Sequence, residues 1–283
     1  MLDSATLQAI FTAPRIDGQF EGSLGDLAHD LGRRRPLVLL AFAPRSAGTF
    51  LRTAAITALD GQLMRFVHAE GGRDAVLYLP WLVAYYGGGL TKDTAVTHVH
   101  MQASAANRHL LDAFDIRPVV MLRSIPDMLA SLWAMIEADN DVPLGFSFLM
   151  PSRFSHMNTA EKGDLLIDMM GPWYAQFYAG WKSYAAVAPG YVLILDYADF
   201  CAAPADALEA ILAHARAATP FAQCQTAIDL TWQERDQFRC NRGRPRRLAP
   251  TFGAAQLDRL ERFVSYYDDL AAWREVLLTP SRP

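Results

Sequence analysis

The sequence contains few lysines, few cysteines and no long hydrophobic run, and each shortage limits the kinds of site or protein that the chain can form. Only three of the 26 basic residues are lysine, so an anion site has to be built mainly from arginine, which binds phosphate or sulfate oxygens in pairs. The three cysteines show neither Cys-x-x-Cys nor Cys/His spacing, which argues against a disulfide framework and a zinc site. The longest apolar run, Pro36 to Pro44, is about half of a membrane span, so no membrane span is expected.

Neither sign of charge dominates the 283-residue chain. A net charge of −4 argues against a nucleic-acid partner held by bulk positive charge. A composition of 52 % hydrophobic and 20 % charged residues excludes a disordered protein. Residues 1–13 lack the basic and apolar segments of a signal peptide, and three reduced cysteines fit a cytosolic protein. The sequence therefore predicts a cytoplasmic protein and leaves a homodimer open.

Short apolar runs alternate with segments of helical period, which is the pattern of a parallel sheet with crossover helices. The predicted strands are 37–43, 94–99, 118–122 and 191–195. The predicted helices are 50–59, 103–114, 125–138, 161–188 with a break at Gly171-Pro172, several from 204 onward, and a closing amphipathic helix over 253–278. Continuous apolar strands are typical of a sheet covered on both faces. We therefore expect an α/β fold of three layers, in which helices flank the sheet.

The turn after the first predicted strand consists mainly of small and polar residues. It reads Pro44-Arg45-Ser46-Ala47-Gly48-Thr49 and leads into a helix at Phe50. Backbone N–H groups at the start of a helix lack partners, so they form an anion site that small side chains leave open to a ligand. A plain strand-to-helix turn also favours proline, serine and glycine, and this alternative stays open. Because no lysine follows Gly48, as a Walker A loop requires, a kinase using ATP and Mg²⁺ is disfavoured.

Residues 44–51 resemble the 5′-phosphosulfate loop of sulfotransferases, the enzymes that use 3′-phosphoadenosine 5′-phosphosulfate (PAPS). That loop typically reads P-[KR]-S-G-T-T-[WF]-L. Ala47 stands where the family has glycine, and Gly48 stands where it has the first threonine. The resemblance implies that Arg45 and the backbone of 46–49 bind the 5′-phosphosulfate.

A second motif resembles the segment with which these enzymes hold the 3′-phosphate, V-x-R-N-P-x-D-x-x-x-S. The chain has Val120-Met121-Leu122-Arg123-Ser124-Ile125-Pro126-Asp127 followed by Ser131, with arginine, proline, aspartate and serine at the family's offsets. Arg123 follows a strand at its carboxyl end, where open α/β sheets bind ligands. The resemblance therefore implies that Arg123 and Ser131 bind the 3′-phosphate.

Three further segments resemble the family in part. Residues 171–181 resemble a G-x-W-[FY]…W segment, and residues 192–200 resemble a V-L-x-L-x-Y-E-D-[LM] strand end, which would place Tyr197 near the adenine. Phe50 falls where an aromatic residue stacks on the adenine, although a core role for either ring stays open. The late segment Arg242-Gly243-Arg244 resembles an R-K-G sequence that closes over the 3′-phosphate, although a solvated loop is the alternative.

The candidate base is a histidine, whose usual pKa of about 6.5 suits proton removal near neutral pH. Thr97-His98-Val99-His100 resembles the family's K-T-H segment, with His100 at the catalytic histidine and His98 at the lysine. A shift of that alignment would instead make His98 the base. Alternation along a strand predicts that the two side chains share one face. Arg45 would act electrostatically, since a guanidinium does not readily release its proton.

The resemblance implies a single sulfotransferase domain over 1–283, with a P-loop NTPase-like core at about 36–252. It implies sulfuryl transfer from PAPS to a hydroxyl or amine of a small-molecule, lipid or carbohydrate acceptor, with 3′-phosphoadenosine 5′-phosphate (PAP) as product and no metal. The alternatives are a nucleotide or small-molecule kinase on a degenerate P-loop, and a non-catalytic nucleotide-binding module. Six aromatic residues could form an acceptor wall or part of the core: Trp81, Tyr85, Tyr86, Phe146, Phe148 and Phe154.

Overall fold

The computed structural model describes residues 35–67, 74–87, 91, 93–138, 153–234 and 252–280. The described residues form a parallel five-stranded sheet with the order β2-β3-β1-β4-β5. The strands are β1 (Leu37–Ala41), β2 (Gln62–Leu63), β3 (Ala95–Val99), β4 (Pro118–Leu122) and β5 (Leu193–Asp196). The helices are α1 (Gly48–Leu59), α2 (Leu79–Tyr86), α3 (Ala105–Ala113), α4 (Ile125–Ala138), α5 (Thr159–Val187), α6 (Tyr197–Ala202), α7 (Pro204–His214), α8 (Phe221–Gln233), α9 (Ala254–Ser265) and α10 (Arg274–Leu278), with 3-10 turns at Phe154–His156 and Asp268–Trp273.

The central strand β1 is buried on both faces, which explains its unbroken apolar sequence. Leu37, Leu39 and Ala41 join a core built largely with α4 and α5. Val38 and Leu40 join a second core built with α1, α7 and α8. Helices therefore cover both faces of the sheet, and the predicted three-layer α/β class is confirmed.

The strand order brings the predicted site segments to one edge of the sheet. Because the strands are parallel, their carboxyl ends lie together, and β1 lies between β3 and β4. In this register Leu40 pairs with His98 on one side and with Val119 on the other. The turn after β1 is therefore flanked by the histidines that end β3 and by Arg123, which follows β4.

The predicted break at Gly171-Pro172 does not exist, because α5 runs without interruption from Thr159 to Val187. A capping box between Asn158 and Glu161 begins this helix. Pro172 removes one N–H group from the hydrogen-bond ladder, but the helix continues past it. A Cβ atom at Gly171 would lie 2.9 Å from Cδ2 of Leu260, so the glycine admits α9 to close contact rather than ending α5.

The predicted closing helix over 253–278 is divided into α9, a 3-10 turn and α10. Leu260 and Val264 form the buried stripe of α9. A continued helix would place Asp268 on that stripe, since residues four apart share a face. The change to a 3-10 turn buries Leu270 instead and keeps the carboxylate out of the core.

Candidate active site

The turn between β1 and α1 contains two residues with left-handed backbone conformation. Arg45 has φ 69° and Ala47 has φ 66°, on either side of buried Ser46. This conformation costs a residue other than glycine about 1–2 kcal/mol, and such strain is typical of functional turns. The helix begins directly after it, since the N–H of Leu51 donates to the carbonyl of Ala47 at 3.1 Å. The N–H groups of residues 48–50 therefore precede the hydrogen-bond ladder of α1.

Three consecutive carbonyl groups of this turn accept hydrogen bonds from side chains. The hydroxyl of Ser46 donates to the carbonyl of Ala43, and the hydroxyl of Tyr174 donates to that of Pro44 at 3.2 Å. The guanidinium of Arg123 donates to the carbonyl of Arg45. The acceptors of the turn are thus bound by the protein, whereas the N–H groups at the start of α1 supply a partial positive charge.

The two segments that resemble a phosphosulfate loop and a 3′-phosphate motif meet at this point. The hydrogen bond between Arg123 and Arg45 joins residues 78 positions apart in sequence. Nε of Arg45 donates to Oγ of Ser131 at 3.0 Å, and its Nη1 lies 3.4 Å from Sδ of Met135. Arg45, Arg123 and Ser131 therefore form one cluster, with two guanidinium groups at the carboxyl edge of the sheet.

Arg123 is held in a fixed plane, yet one of its donors has no partner among the described residues. Its guanidinium carbon lies 4.0 Å from the ring centroid of Tyr197, the first residue of α6. Its backbone N–H donates to the Tyr178 hydroxyl at 3.1 Å, and that hydroxyl donates to the Met121 carbonyl at 3.1 Å. Nε of Arg123 is buried and has no hydrogen-bond partner in the described part of the chain. A buried donor without a partner is costly, which is consistent with a group that binds a ligand.

His98 and His100 lie together, as alternation along β3 predicts. Their ring centroids are 4.9 Å apart, with the ring planes nearly perpendicular. Nδ1 of His100 lies 2.8 Å from the carbonyl oxygen of Phe42. Because a carbonyl oxygen can only accept, Nδ1 carries the hydrogen in this contact and Nε2 presents a lone pair. His100 therefore has the tautomer that a general base needs.

The surroundings of His100 keep its ring uncharged. Burial is the largest cause and lowers the pKa of His100 below the usual histidine value. The hydrogen bond to the carbonyl of Phe42 opposes this shift, and the charge of Arg45 adds to it. A neutral imidazole at neutral pH is able to accept a proton.

The imidazole of His98 lies against the first residue of α1. A Cβ atom at Gly48 would come closer than 3.0 Å to three ring atoms of His98, and Nε2 would be the nearest. Nε2 of His98 is buried without a hydrogen-bond partner among the described residues. The pKa of His98 lies well below the usual value, because of burial first, then His100 and then Arg52. His98 and Gly48, two departures from the family pattern, are thus in direct contact.

Phe50, predicted to stack on the adenine, lies in the core. It is 2 % exposed, and its ring centroid lies 6.0 Å from that of Phe200 and 4.6 Å from that of Trp232. Trp232 is partly exposed at the end of α8, and the sequence analysis did not select it. No motif in the sequence points to Trp232, because only the packing of α8 on α1 brings it to Phe50.

Three of the six aromatic residues that could form an acceptor wall or part of the core lie in the core. Tyr85, Tyr86 and Phe154 are buried, and Trp81 is 42 % exposed. The hydroxyl of Tyr85 donates to the carbonyl of Pro36 at 2.7 Å and accepts from the N–H of Ala95 at 3.0 Å. These partners lie where β1 and β3 begin, so Tyr85 is at the opposite edge of the sheet from the histidines.

Several predicted residues lie outside the described ranges, namely Phe146, Phe148, Arg242, Gly243 and Arg244. Among the residues that are described, no group of three histidine, cysteine, aspartate or glutamate side chains could hold a metal ion. None of the described helices is both long and apolar enough to cross a membrane.

No protein-family model matches the sequence, and no curated protein matches it either. The fold is similar to that of a solved structure, mouse sulfotransferase SULT7A1 complexed with PAP. The TM-score is 0.56, and the match covers 89 % of this chain and 91 % of that chain at 12 % sequence identity. The chain therefore has the α/β fold of that sulfotransferase.

Proposed function

We propose that this protein is a sulfotransferase, which transfers the sulfuryl group of PAPS to a hydroxyl or amine and releases PAP. The observation that carries the proposal is the cluster at the carboxyl edge of the sheet. There Arg45, Arg123 and the start of α1 lie together, and His100 beside them is a neutral base. The fold supports the same activity, since the structural neighbour is a sulfotransferase in complex with PAP. Its alignment over most of the chain also supports a single domain over 1–283.

Each of the two guanidinium groups would bind one end of a bis-phosphorylated adenosine. Arg45 and the N–H groups of residues 46–49 would hold the 5′ end, since α1 begins there with its positive dipole. Arg123, whose Nε has no partner among the described residues, would hold the 3′-phosphate together with Ser131. The adenine would lie near Tyr197 and Trp232, which are partly exposed, and Phe50 would support Trp232 from the core. We propose that Arg242, Gly243 and Arg244 close over the 3′-phosphate.

In the transfer step, Nε2 of His100 accepts the proton of the acceptor hydroxyl or amine. The acceptor atom forms a bond to sulfur while the bond from sulfur to the phosphate oxygen breaks. The negative charge that develops on the departing phosphate is stabilised by Arg45 and by the N–H groups at the start of α1. Positioning and fixed positive charge supply most of the catalysis, as in phosphoryl transfer, and no step requires a metal.

The proposal is tested by titration with PAP, followed by calorimetry and by the shift of the melting temperature. Arg123→Ala should weaken PAP binding by about 10- to 100-fold, because a charge-assisted hydrogen bond contributes about 1.5–3 kcal/mol. The exposed Arg262 of α9 supplies the matched control, and Arg262→Ala should bind PAP like the unchanged protein.

Turnover is measured with a radiolabelled sulfonate donor and a panel of small-molecule, lipid and carbohydrate acceptors. Transfer to any of them, with loss of transfer in the His100 variant, supports the proposal. Absence of PAP binding would exclude it, and binding of ATP that depends on Mg²⁺ would favour a kinase. Tight PAP binding without turnover across the panel would favour a non-catalytic nucleotide-binding module.

A further inference from the structure

We infer that His98 is a second ligand for the 5′ anion, which donates from Nε2 at the start of α1 and takes up a proton when the anion binds. This inference rests on the proposed function and assigns a role to a residue for which the structure shows no hydrogen-bond partner at Nε2 among the described residues. It also separates the two histidines, since His100 accepts the proton of the acceptor and His98 binds the donor.

The geometry of Gly48 supports this role. The buried Nε2 of His98 is the atom nearest to the place where a side chain at position 48 would begin. A Cβ atom there would overlap the imidazole. Glycine therefore lets Nε2 lie directly against the first residue of the helix whose N–H groups attract an anion.

The contacts of His98 explain its orientation but give Nε2 no hydrogen-bond partner in the described part of the chain. The ring lies edge-on to His100, and its centroid lies 6.1 Å from that of Phe42. An apolar side chain could fill this space without the cost of a buried polar atom that lacks a partner. A ligand oxygen at the start of α1 would supply the missing partner.

The charged groups around His98 account for the uptake of a proton. His100 directly follows the strand that contains His98, Arg52 lies on α1 one turn after Gly48, and Arg65 follows β2 and acts on Arg52. The charge of Arg45 acts on His100. None of these groups is acidic, so His98 is held uncharged in the absence of ligand. A phosphate or phosphosulfate next to the ring would raise the pKa of His98, because an opposite charge favours the protonated form.

The test is calorimetric titration with PAP at pH 7 in two buffers of different ionisation enthalpy, which measures the protons taken up per PAP bound. The unchanged protein should take up more protons than His98→Gln, which keeps an amide donor but cannot titrate. The protons of PAP itself cancel in this difference. His100→Gln removes one cause of the lowered pKa of His98, so its uptake is compared with that of the double variant His98→Gln/His100→Gln, and a larger uptake in the single variant assigns the proton to His98. Melting curves show that each variant is folded, and His98→Leu replaces His98→Gln if the glutamine variant does not fold.

A ligand control and a double-mutant cycle complete the experiment. Adenosine 3′-monophosphate lacks the 5′-phosphate, so the proton uptake on its binding should be the same for the unchanged protein and for His98→Gln. Gly48→Ala should weaken PAP binding about tenfold when His98 is present and less than threefold in a His98→Ala background. Equal proton uptake by the unchanged protein and His98→Gln, with PAP still bound, would overturn this inference and leave the sulfotransferase proposal standing. Absence of PAP binding would overturn both.

Discussion

An arginine lies over a tyrosine ring at each edge of the sheet, and the two pairs differ in one respect. At the amino edge, Arg35 lies 4.4 Å from the ring centroid of Tyr85 and donates to the carbonyls of Tyr85 and Asp93 at 3.0 and 2.9 Å. At the carboxyl edge, Arg123 lies 4.0 Å from the ring centroid of Tyr197, and its buried Nε has no partner among the described residues. The arginine at the amino edge thus donates two hydrogen bonds to backbone carbonyls, whereas the arginine at the carboxyl edge keeps a buried donor without a partner among the described residues. In the proposed site, the 3′-phosphate would supply the partner that this donor lacks.

The largest expected difference between the edges concerns two histidines that each contact a backbone carbonyl. His100 contacts Phe42 at the carboxyl edge, and His214 contacts the carbonyl of Tyr191 at 3.1 Å at the amino edge. His100→Gln should lower kcat by about 10²- to 10⁴-fold, because the base is lost, and should leave PAP affinity unchanged. His214→Gln should leave kcat within about twofold of the unchanged protein. Initial rates with a labelled sulfonate donor measure both, and equal losses in the two variants would contradict the assignment of the base.

The arginine pairs give the next largest difference. Arg123→Lys keeps the charge but loses the flat guanidinium, so PAP affinity should fall by about tenfold while the free energy of unfolding changes little. Arg35→Lys should show the reverse, a loss of about 1 kcal/mol in the free energy of unfolding with unchanged PAP affinity. Urea unfolding and PAP titration of both variants separate the two roles. A loss of PAP affinity in Arg35→Lys would remove the distinction between the edges.

The sequence predicted the elements whose physical causes are local. The bounds of β4 agree with the predicted 118–122, and the predicted helix start at Ser124 is confirmed, since Oγ of Ser124 accepts from the N–H of Asp127 at 3.4 Å. The two-residue strand β2 was missed because it forms through pairing with β3 and carries little pattern of its own. The helix α2 was missed as well, and its two tyrosines, for which an acceptor wall and a core role both stayed open, lie in the core.

The candidate site was predictable only in part. Its residues were identified through motif spacing, which selects Arg45, Arg123 and Ser131 without showing that they touch. The contact between Gly48 and His98 could not be predicted, because the register of β1 against β3 and the position of α1 determine it together. Trp232 was missed for the same reason, since only the packing of α8 on α1 brings it to Phe50.

The pH dependence of turnover tests whether the charge of Arg45 acts on His100 at the carboxyl edge. Because the pKa of His100 is lowered, kcat/KM should be constant at neutral pH and fall only below the usual histidine value. Arg45→Met removes a charge that lowers this pKa, so the acid limb should move to higher pH. Lower activity is expected in that variant at every pH, so the position of the limb is the quantity to compare. A limb that does not move would argue against electrostatic contact between Arg45 and the base.

Protonation of His98 and His100 should also affect the stability of the fold. Since the pKa values of His98 and His100 are lowered in the folded protein, folding favours their neutral forms. The stabilisation from neutral histidines is present above the usual histidine pKa of about 6.5 and is lost as the pH falls below it. Urea unfolding between pH 5 and 8 should therefore show a decrease toward acid that is smaller in His98→Gln. An equal decrease in both proteins would show that other groups cause it.

The smallest expected effect concerns residues with left-handed backbone at the two edges. Ala47 has φ 66°, and no side-chain hydrogen bond offsets the strain of this left-handed backbone conformation. Ala47→Gly should therefore raise the free energy of unfolding by about 1 kcal/mol. Asp115 has φ 49° near the start of β4, and its carboxylate pairs with Arg216 at 2.5 Å. Asp115→Gly gains the same backbone freedom but loses that ion pair, so its net change should be smaller. A destabilising effect of Ala47→Gly would mean that packing of the alanine side chain outweighs the strain of its backbone. The expected difference between Ala47 at the carboxyl edge and Asp115 at the amino edge would then be absent.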